Sequence, residues 1–550
     1  MKHFLLLTLI LFSFHLHSQT WLWSAAATGG SSDEVSTYVD HNNNIISIGD
    51  WNGPTVSFGS QTLFNSSTSS SNYETFVVKY NSSGLVLWAK NIGGKNADLP
   101  EAMTVDKWNN IYVTGNFNSD TLILGNDTAT NIGAMNTYIA KFSPNGTPLW
   151  LRIAKDPIAS YPYGIATDSL TGNVAVTGIY HDSIAFGNLH CTTANSTDFF
   201  VAVFDSSGTA INLKSSTHTG GGNIQTAGAV YDKHGNLSIC GMFMCPSFTF
   251  DTATASAVPG VFNYFMLKLD PQLNAIWKKN SVSNYTAIPQ FINDDDLGNI
   301  YLTGFYDSTL TIGSITLSTS DPSPMEESFL AKFDSSGNVL WAKTTHSSGG
   351  TINRGYCVVT DAQYNVYWTG GYNDVETSVG QDTFRIGTHT DPIYFLKMNS
   401  QGQTLCTTEL QSGGDDWVNV AVAPPDQIYI SADYYGIPFT IGNVTYNEPG
   451  LEHYYLARFQ CSPLDVEQTT LENVSVYPNP SDGIFIFNLK KDYSSDAQIE
   501  VTDVLGNVIV ESALHDGQAR IDLSGNAEGM YFYVIREGAE IVGTGKLILK

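Results

Sequence analysis

The side chains that could hold a metal or start a reaction are six cysteines, a scatter of histidines and several aspartate-rich turns. No His-Glu-x-x-His, Gly-x-Ser-x-Gly, phosphate-binding loop or Cys-x-x-Cys occurs. The nine histidines beyond residue 18 (His41, His181, His190, His218, His234, His346, His389, His453, His515) have no metal-ligand spacing among neighbours. Asn293-Asp294-Asp295-Asp296-Leu297-Gly298-Asn299, and behind it Asp40-His41-Asn42-Asn43-Asn44, offer the clustered oxygens that calcium wants. Asp, Asn and Gly are equally the residues of a plain hairpin turn, and that reading outweighs calcium, so no cofactor is expected. Cys191, Cys240, Cys245, Cys357, Cys406 and Cys461 permit disulfides in an exported protein, without ranking their pairings. Cys240, Cys357 and Cys406 lie inside strand-like runs, where a free thiol packs as a small apolar group.

Charge narrows the partners. The 52 acidic residues exceed the 25 basic ones for a net charge of −27, and a surface of that sign repels phosphate backbones, which excludes nucleic acid. Residues 1–18 have a basic start (Lys2, His3), an apolar run from Phe4 to Phe14 and a polar end. That is the layout of a secretory signal peptide, cut before Gln19, although Leu16 is large for its place. No later apolar run is long enough for a transmembrane helix in the mature chain.

The elements that would position any site come from a repeat. Seven copies of one phrase recur, among them Asn109-Asn110-Ile111-Tyr112-Val113-Thr114-Gly115, Gly298-Asn299-Ile300-Tyr301-Leu302-Thr303-Gly304 and Asp426-Gln427-Ile428-Tyr429-Ile430-Ser431-Ala432. Each is a turn followed by a β-branched and aromatic strand. A second phrase follows at the same period, as in Phe76-Val77-Val78-Lys79-Tyr80, a turn, then Leu85-Val86-Leu87-Trp88. Its Trp recurs as Trp150, Trp277 and Trp341, with Asn212 and Cys406 in the same slot of two copies. These tryptophans read as packing residues.

Four strands per unit (a, b, c, d), repeated seven times, specify a β-propeller whose blades bury both faces. The recurring Gly of strand b fits a place where a neighbouring blade comes too close for a side chain. The seventh unit lacks strand d, and Thr20-Trp21-Leu22-Trp23 matches it, so the N-terminus is expected to complete the last blade. The units resemble bacterial β-propeller repeats of the form Asp-x-x-Gly-Asn-x-Tyr-x-Thr-Gly. The expectation is an all-β chain: a signal peptide (1–18), a seven-bladed propeller of four-stranded blades (19–461), a linker (462–474) and a small Ig-like sandwich (475–550).

The sandwich carries Tyr477-Pro478-Asn479-Pro480-Ser481-Asp482-Gly483, then Asp503-Val504-Leu505-Gly506, then Gly529-Met530-Tyr531, and finally Lys546-Leu547-Ile548. These segments resemble the type A C-terminal sorting domain of the Bacteroidetes type IX secretion system. The resemblance implies passage through the periplasm to the cell surface or medium, with the secretion machinery as partner.

In an antiparallel blade the a-b and c-d turns share one end, while the long b-c insertions share the other. Trp51 and Tyr73 flank or lie within the first insertion and are the candidate ligand-face residues. The leading functional expectation is a non-enzymatic surface protein that binds an extracellular glycan or protein. An extracellular polysaccharide hydrolase or lyase, with carboxylates converging on the channel, stands against it, and a passive surface component is the third reading.

Overall fold

A computed structural model describes residues 17–67, 72–194, 197–281, 285–319, 326–347, 352–373, 376–385, 392–410, 418–435, 438–447, 452–463, 474–489, 497–503, 507–515, 518–537 and 540–550. The expected signal peptide, most of the linker and Gly506 lie outside them. Every element among the described residues is a β-strand. The chain divides into a unit of residues 17–461 and a second that holds 462–550.

In the first unit, strands a to d of blade 1 are Ser32–Val39, Ile45–Trp51, Glu74–Tyr80 and Val86–Ile92, hydrogen-bonded in chain order. Five more antiparallel sheets repeat that order. The seventh is built from Asn419–Ala423, Gln427–Tyr435, Glu452–Pro463 and, as its outer strand, the N-terminal His17–Gly29. Each strand a lies against the strand a of the blades before and after it, and that of blade 7 lies against that of blade 1, so the ring is closed. Strands b and c of blade 1 are buried along their whole length, because neighbouring blades cover both sides of the sheet.

Gly115 shows why strand b needs glycine, and the close neighbour lies within its own blade. A Cβ there would stand 2.1 Å from the Leu99 carbonyl oxygen on strand a and 2.7 Å from the Tyr138 ring on strand c. Gly178 meets the Tyr161 oxygen at 2.2 Å in the same way. The expectation of a neighbouring blade at this place is therefore corrected.

Blades are tied to one another at the turn end. The indole N–H of Trp88 donates to Pro144 O of the next c-d turn (3.2 Å), that of Trp150 to Ser206 O (3.2 Å), that of Trp277 to Ser335 O (3.1 Å) and that of Trp341 to Ser400 O (3.2 Å). Trp23 of the closing strand donates to Ser82 O of blade 1 at 3.1 Å. Asn212, in the Trp slot of blade 3, makes the same bond to Gln272 O at 3.1 Å. Blade 7 has no c-d turn to accept such a bond, and Cys406 of blade 6 instead forms a disulfide with Cys461. Cys406 is thus corrected from a free packing thiol, whereas Cys191, Cys240, Cys245 and Cys357 are in no disulfide.

Each b-c insertion contains a short hairpin, such as Thr55–Phe58 with Gln61–Phe64. In blades 1, 4 and 6 the hairpin pairs with chain at the outer edge of the preceding blade: Ala27↔Phe58 joins blades 7 and 1, His218↔Phe248 joins blades 3 and 4, and His346↔Ser378 joins blades 5 and 6. Alternate hairpin residues (Val56, Phe58, Leu122, Leu124, Phe248, Phe250) are buried. The hairpins therefore lengthen the sheets and seal the gaps between them.

In the second unit, one sheet holds Val474–Tyr477, Ile484–Leu489 and Gln518–Asp522, and the other Val508–Ala513, Ala497–Thr502, Gly529–Glu537 and Glu540–Leu549. Phe485, Phe487 and Ile521 of the first meet Ile499, Tyr533 and Leu547 of the second in a shared core. Burial of that apolar face holds the two sheets together.

Candidate functional site

The site begins with an irregularity repeated in strand a. Opposite the strand-b glycine the pairing slips by one residue between Pro100 and Ala102 in blade 2, between Pro162 and Gly164 in blade 3, and between Gly355 and Cys357 in blade 6. Such bulges re-aim the extra residue, here Glu101, Tyr163 and Tyr356, close to the end of the ring that carries the d-a and b-c connections.

Glu101 accepts a hydrogen bond of 2.6 Å from Asn116 Nδ2. Burial nevertheless pushes its carboxyl up to about 7. In blade 1, Asp50 lies opposite Asp33 on the neighbouring strand. Burial first, and then the charges of Asp33, Glu101 and Glu452, raise the Asp50 carboxyl well above the usual range. Carboxyl groups from blades 1, 2 and 7 therefore share one electrostatic field. These influences favour the protonated form of Asp50, and neighbouring carboxyls with unequal proton affinity are what acid-base chemistry uses. The Tyr163 phenol is raised by burial and then by the charge of Glu101.

Around the same end, Tyr73, Ile132, Ile158, Tyr285, Ile352 and Tyr435 are exposed large apolar side chains carried by connections or strand ends. Tyr73 is anchored through its carbonyl, which accepts the Asp98 amide at 2.9 Å. Burial lifts Asp98 to about 6 against bonds from Ser119, Asn118 and Gly94. Trp51 has 0% exposure and packs with Phe58, Phe76 and Tyr454 in the core between blades 7 and 1. Its place as a ligand-face residue is thereby withdrawn: strand b continues through it, so its ring is enclosed.

The aspartate-rich turns are internally occupied. Asp295 Oδ1 accepts the Leu297 and Asn299 amides at 3.0 and 2.9 Å, and Oδ2 accepts the Tyr301 hydroxyl at 3.0 Å. Asp40 caps Asn42 and Asn44 and pairs with Lys79 at 2.7 Å. Among the described residues no group of three or more His, Cys, Asp or Glu is arranged to hold a metal ion.

Sequence reasoning missed Asp50 and Glu101. The available signal was an ionisable residue inside an otherwise apolar strand, which chains seldom bury without a reason.

In the second unit the motif residues separate into two sets. Gly483 sits at φ 140° where a Cβ would meet Ser524 at 2.6 Å, Tyr531 donates its hydroxyl to Ala527 O (2.7 Å), and Asp503 accepts the Asn507 amide (2.9 Å). These, with Gly529 at φ 154°, shape turns and core. Tyr477, Pro478, Asn479, Pro480 and Lys546 are exposed.

Residues 475–550 match the family of the secretion system C-terminal sorting domain. The chain therefore carries the type IX address of a protein exported to the cell surface or the extracellular space. A curated relative, the uncharacterized WD repeat-containing protein L264 of Acanthamoeba polyphaga mimivirus, is 23% identical over 54% of this chain, which spans only 26% of that protein. Among solved structures, the Hadza microbial sialidase Hz136 is similar at 10% identity and TM-score 0.34, covering 81% of this chain and 94% of its own. PorZ, a surface component of the type-IX secretion system of Porphyromonas gingivalis, is similar at 12% identity and TM-score 0.19, covering 94% and 81%.

Proposed function

We propose that the propeller is an extracellular binding module that takes a neutral or basic ligand, a glycan or a protein, on the end bearing the b-c and d-a connections. The observation behind this reading is that exposed Tyr73, Tyr285 and Tyr435, with Ile132, Ile158 and Ile352, lie at the same end of the ring as the carboxyl groups of Asp33, Asp50, Glu101 and Glu452. Tyrosine combines an apolar face for sugar rings or side chains with a polar tip, and the net charge of −27 disfavours polyanions. The test is a screen of polysaccharides and proteins with the chain lacking residues 1–18. Tyr73→Ser with Tyr435→Ser should weaken a hit tenfold or more, while Leu85→Ser with Leu297→Ser at the turn end should not. The reverse pattern contradicts the reading.

The raised Asp50 and Glu101 carboxyls favour a second reading, a polysaccharide hydrolase or lyase. Product release that Asp50→Asn and Glu101→Gln abolish, with polymer binding retained, would select it.

A further inference from the structure

The two exposed ends of the sorting domain are one surface, and a single side chain ties them together. Asn479 Nδ2 donates to Lys546 O at 2.7 Å, and its Oδ1 accepts the Ile548 amide at 2.9 Å. Ser481 continues the contact: its amide donates to Ile548 O and its carbonyl accepts the Lys550 amide, both at 2.9 Å. The Tyr477 to Ser481 segment therefore lies along the open edge of the final strand and fixes it in register.

That register decides what the outer face displays. Tyr531, Leu547 and Leu549 point into the core, so the alternate residues of the last two strands point out. Lys546 lies opposite Phe532, and Ile548 opposite Met530. Met530 and Phe532 are 43% and 41% exposed, large values for such side chains in a small sandwich. Lys546 and Lys550 are exposed beside them, in a chain whose charge is strongly negative.

We infer that the face formed by Met530, Phe532, Lys546 and Ile548, held in register by Asn479, is the docking surface of the sorting domain. Its partner is a protein of the secretion machinery that offers an apolar recess flanked by carboxylates. The apolar pair supplies contact area, and the lysines select an acidic partner against the anionic surface of the chain itself. Asn479 is a positioning residue, since it acts through the final strand.

This inference rests on the sorting assignment, and the experiment separates the two. The full chain is expressed in its native host, and its extracellular and periplasmic amounts are compared for Phe532→Ser with Lys546→Glu, for Lys546→Glu alone, for Asn479→Ala and for a deletion of residues 475–550. Gln498→Lys, on the outward side of a neighbouring strand, is the control. The double variant should leave at least tenfold more protein in the periplasm, with the melting temperature of the domain unchanged. Lys546→Glu alone, at an exposed position, should do so in part. Asn479→Ala should lose amide protection at Ile548 and Lys550 together with export. Normal export of the lysine and phenylalanine variants beside a blocked deletion overturns the docking face and leaves the sorting assignment standing. Normal export of the deletion overturns both.

Discussion

Cys406 and Cys461 form a disulfide in the place where other blades use an indole-to-carbonyl hydrogen bond. Cys406 pairs with Lys397 as Trp88 pairs with Lys79, and Cys461 follows Phe459 as Ser82 follows Tyr80. At the junction where the accepting turn is missing, a covalent bond replaces a hydrogen bond.

Cys461→Ser should therefore destabilise the propeller by about 2–4 kcal/mol, the usual worth of a native disulfide. Cys406→Trp with Cys461→Ser should recover part of that loss, because the new indole meets the carbonyl of residue 461. Chemical denaturation of both variants checks this. A double variant no better than Cys461→Ser would remove the equivalence.

Closure by the N-terminal strand makes a second expectation. Trp23 bonds Ser82 O, and its ring lies 6.0 Å from that of Tyr429. Deleting residues 19–26 opens blade 7 and bares an edge, so the melting temperature should fall sharply and aggregation increase. Trp23→Phe, which removes the N–H together with part of the ring, should cost about 1 kcal/mol or more. An unchanged melting temperature after the deletion contradicts the closure.

Gly115→Ala tests the crowding inside a blade. Its Cβ would fall 2.1 Å from the Leu99 oxygen, and backbone cannot yield as a flexible side chain can. A loss of about 1–3 kcal/mol or more is expected in denaturant unfolding. A neutral effect would mean that strand a can shift.

Stability should fall as pH rises from 5 to 8.5. Burial holds the folded carboxyls of Asp98 at about 6, Glu101 at about 7 and Asp294 at about 8, above their ordinary unfolded values near ~4. Between those limits the folded state binds more protons than the unfolded one. The stabilisation is complete below the unfolded values and is lost as pH passes through the folded ones. Asp40 acts oppositely: burial works upward on it, but bonds from Lys79 and Asn44 prevail, so its contribution is lost in acid. Melting temperatures at pH 5, 7 and 8.5 check the trend. Glu101→Gln should flatten the trend between pH 5 and 7, and an identical slope there in that variant would contradict the assignment.

The repeat made the blades legible, because seven copies of one phrase betray both strand period and turn chemistry. The closing strand was legible from Trp21 and Trp23 for the same reason. The carboxyl cluster was not, since Asp50, Glu101 and Glu452 are far apart in sequence and meet only when blades 7, 1 and 2 are adjacent. Trp51 misled because an aromatic at the end of a strand phrase looks the same whether the next hairpin covers it or not. Cys406 misled because its partner fills a slot that elsewhere belongs to backbone.

The ring of residues 17–461 is the cargo and residues 475–550 are its address. Ending the chain at Cys461 and following it in the native host tests this most directly. A folded propeller of nearly unchanged stability, held in the periplasm, is the predicted result, with an unrelated exported protein carried to the surface or medium when fused to residues 462–550. Truncated protein outside intact cells in normal amounts, or a propeller that fails to fold without the second unit, would contradict it.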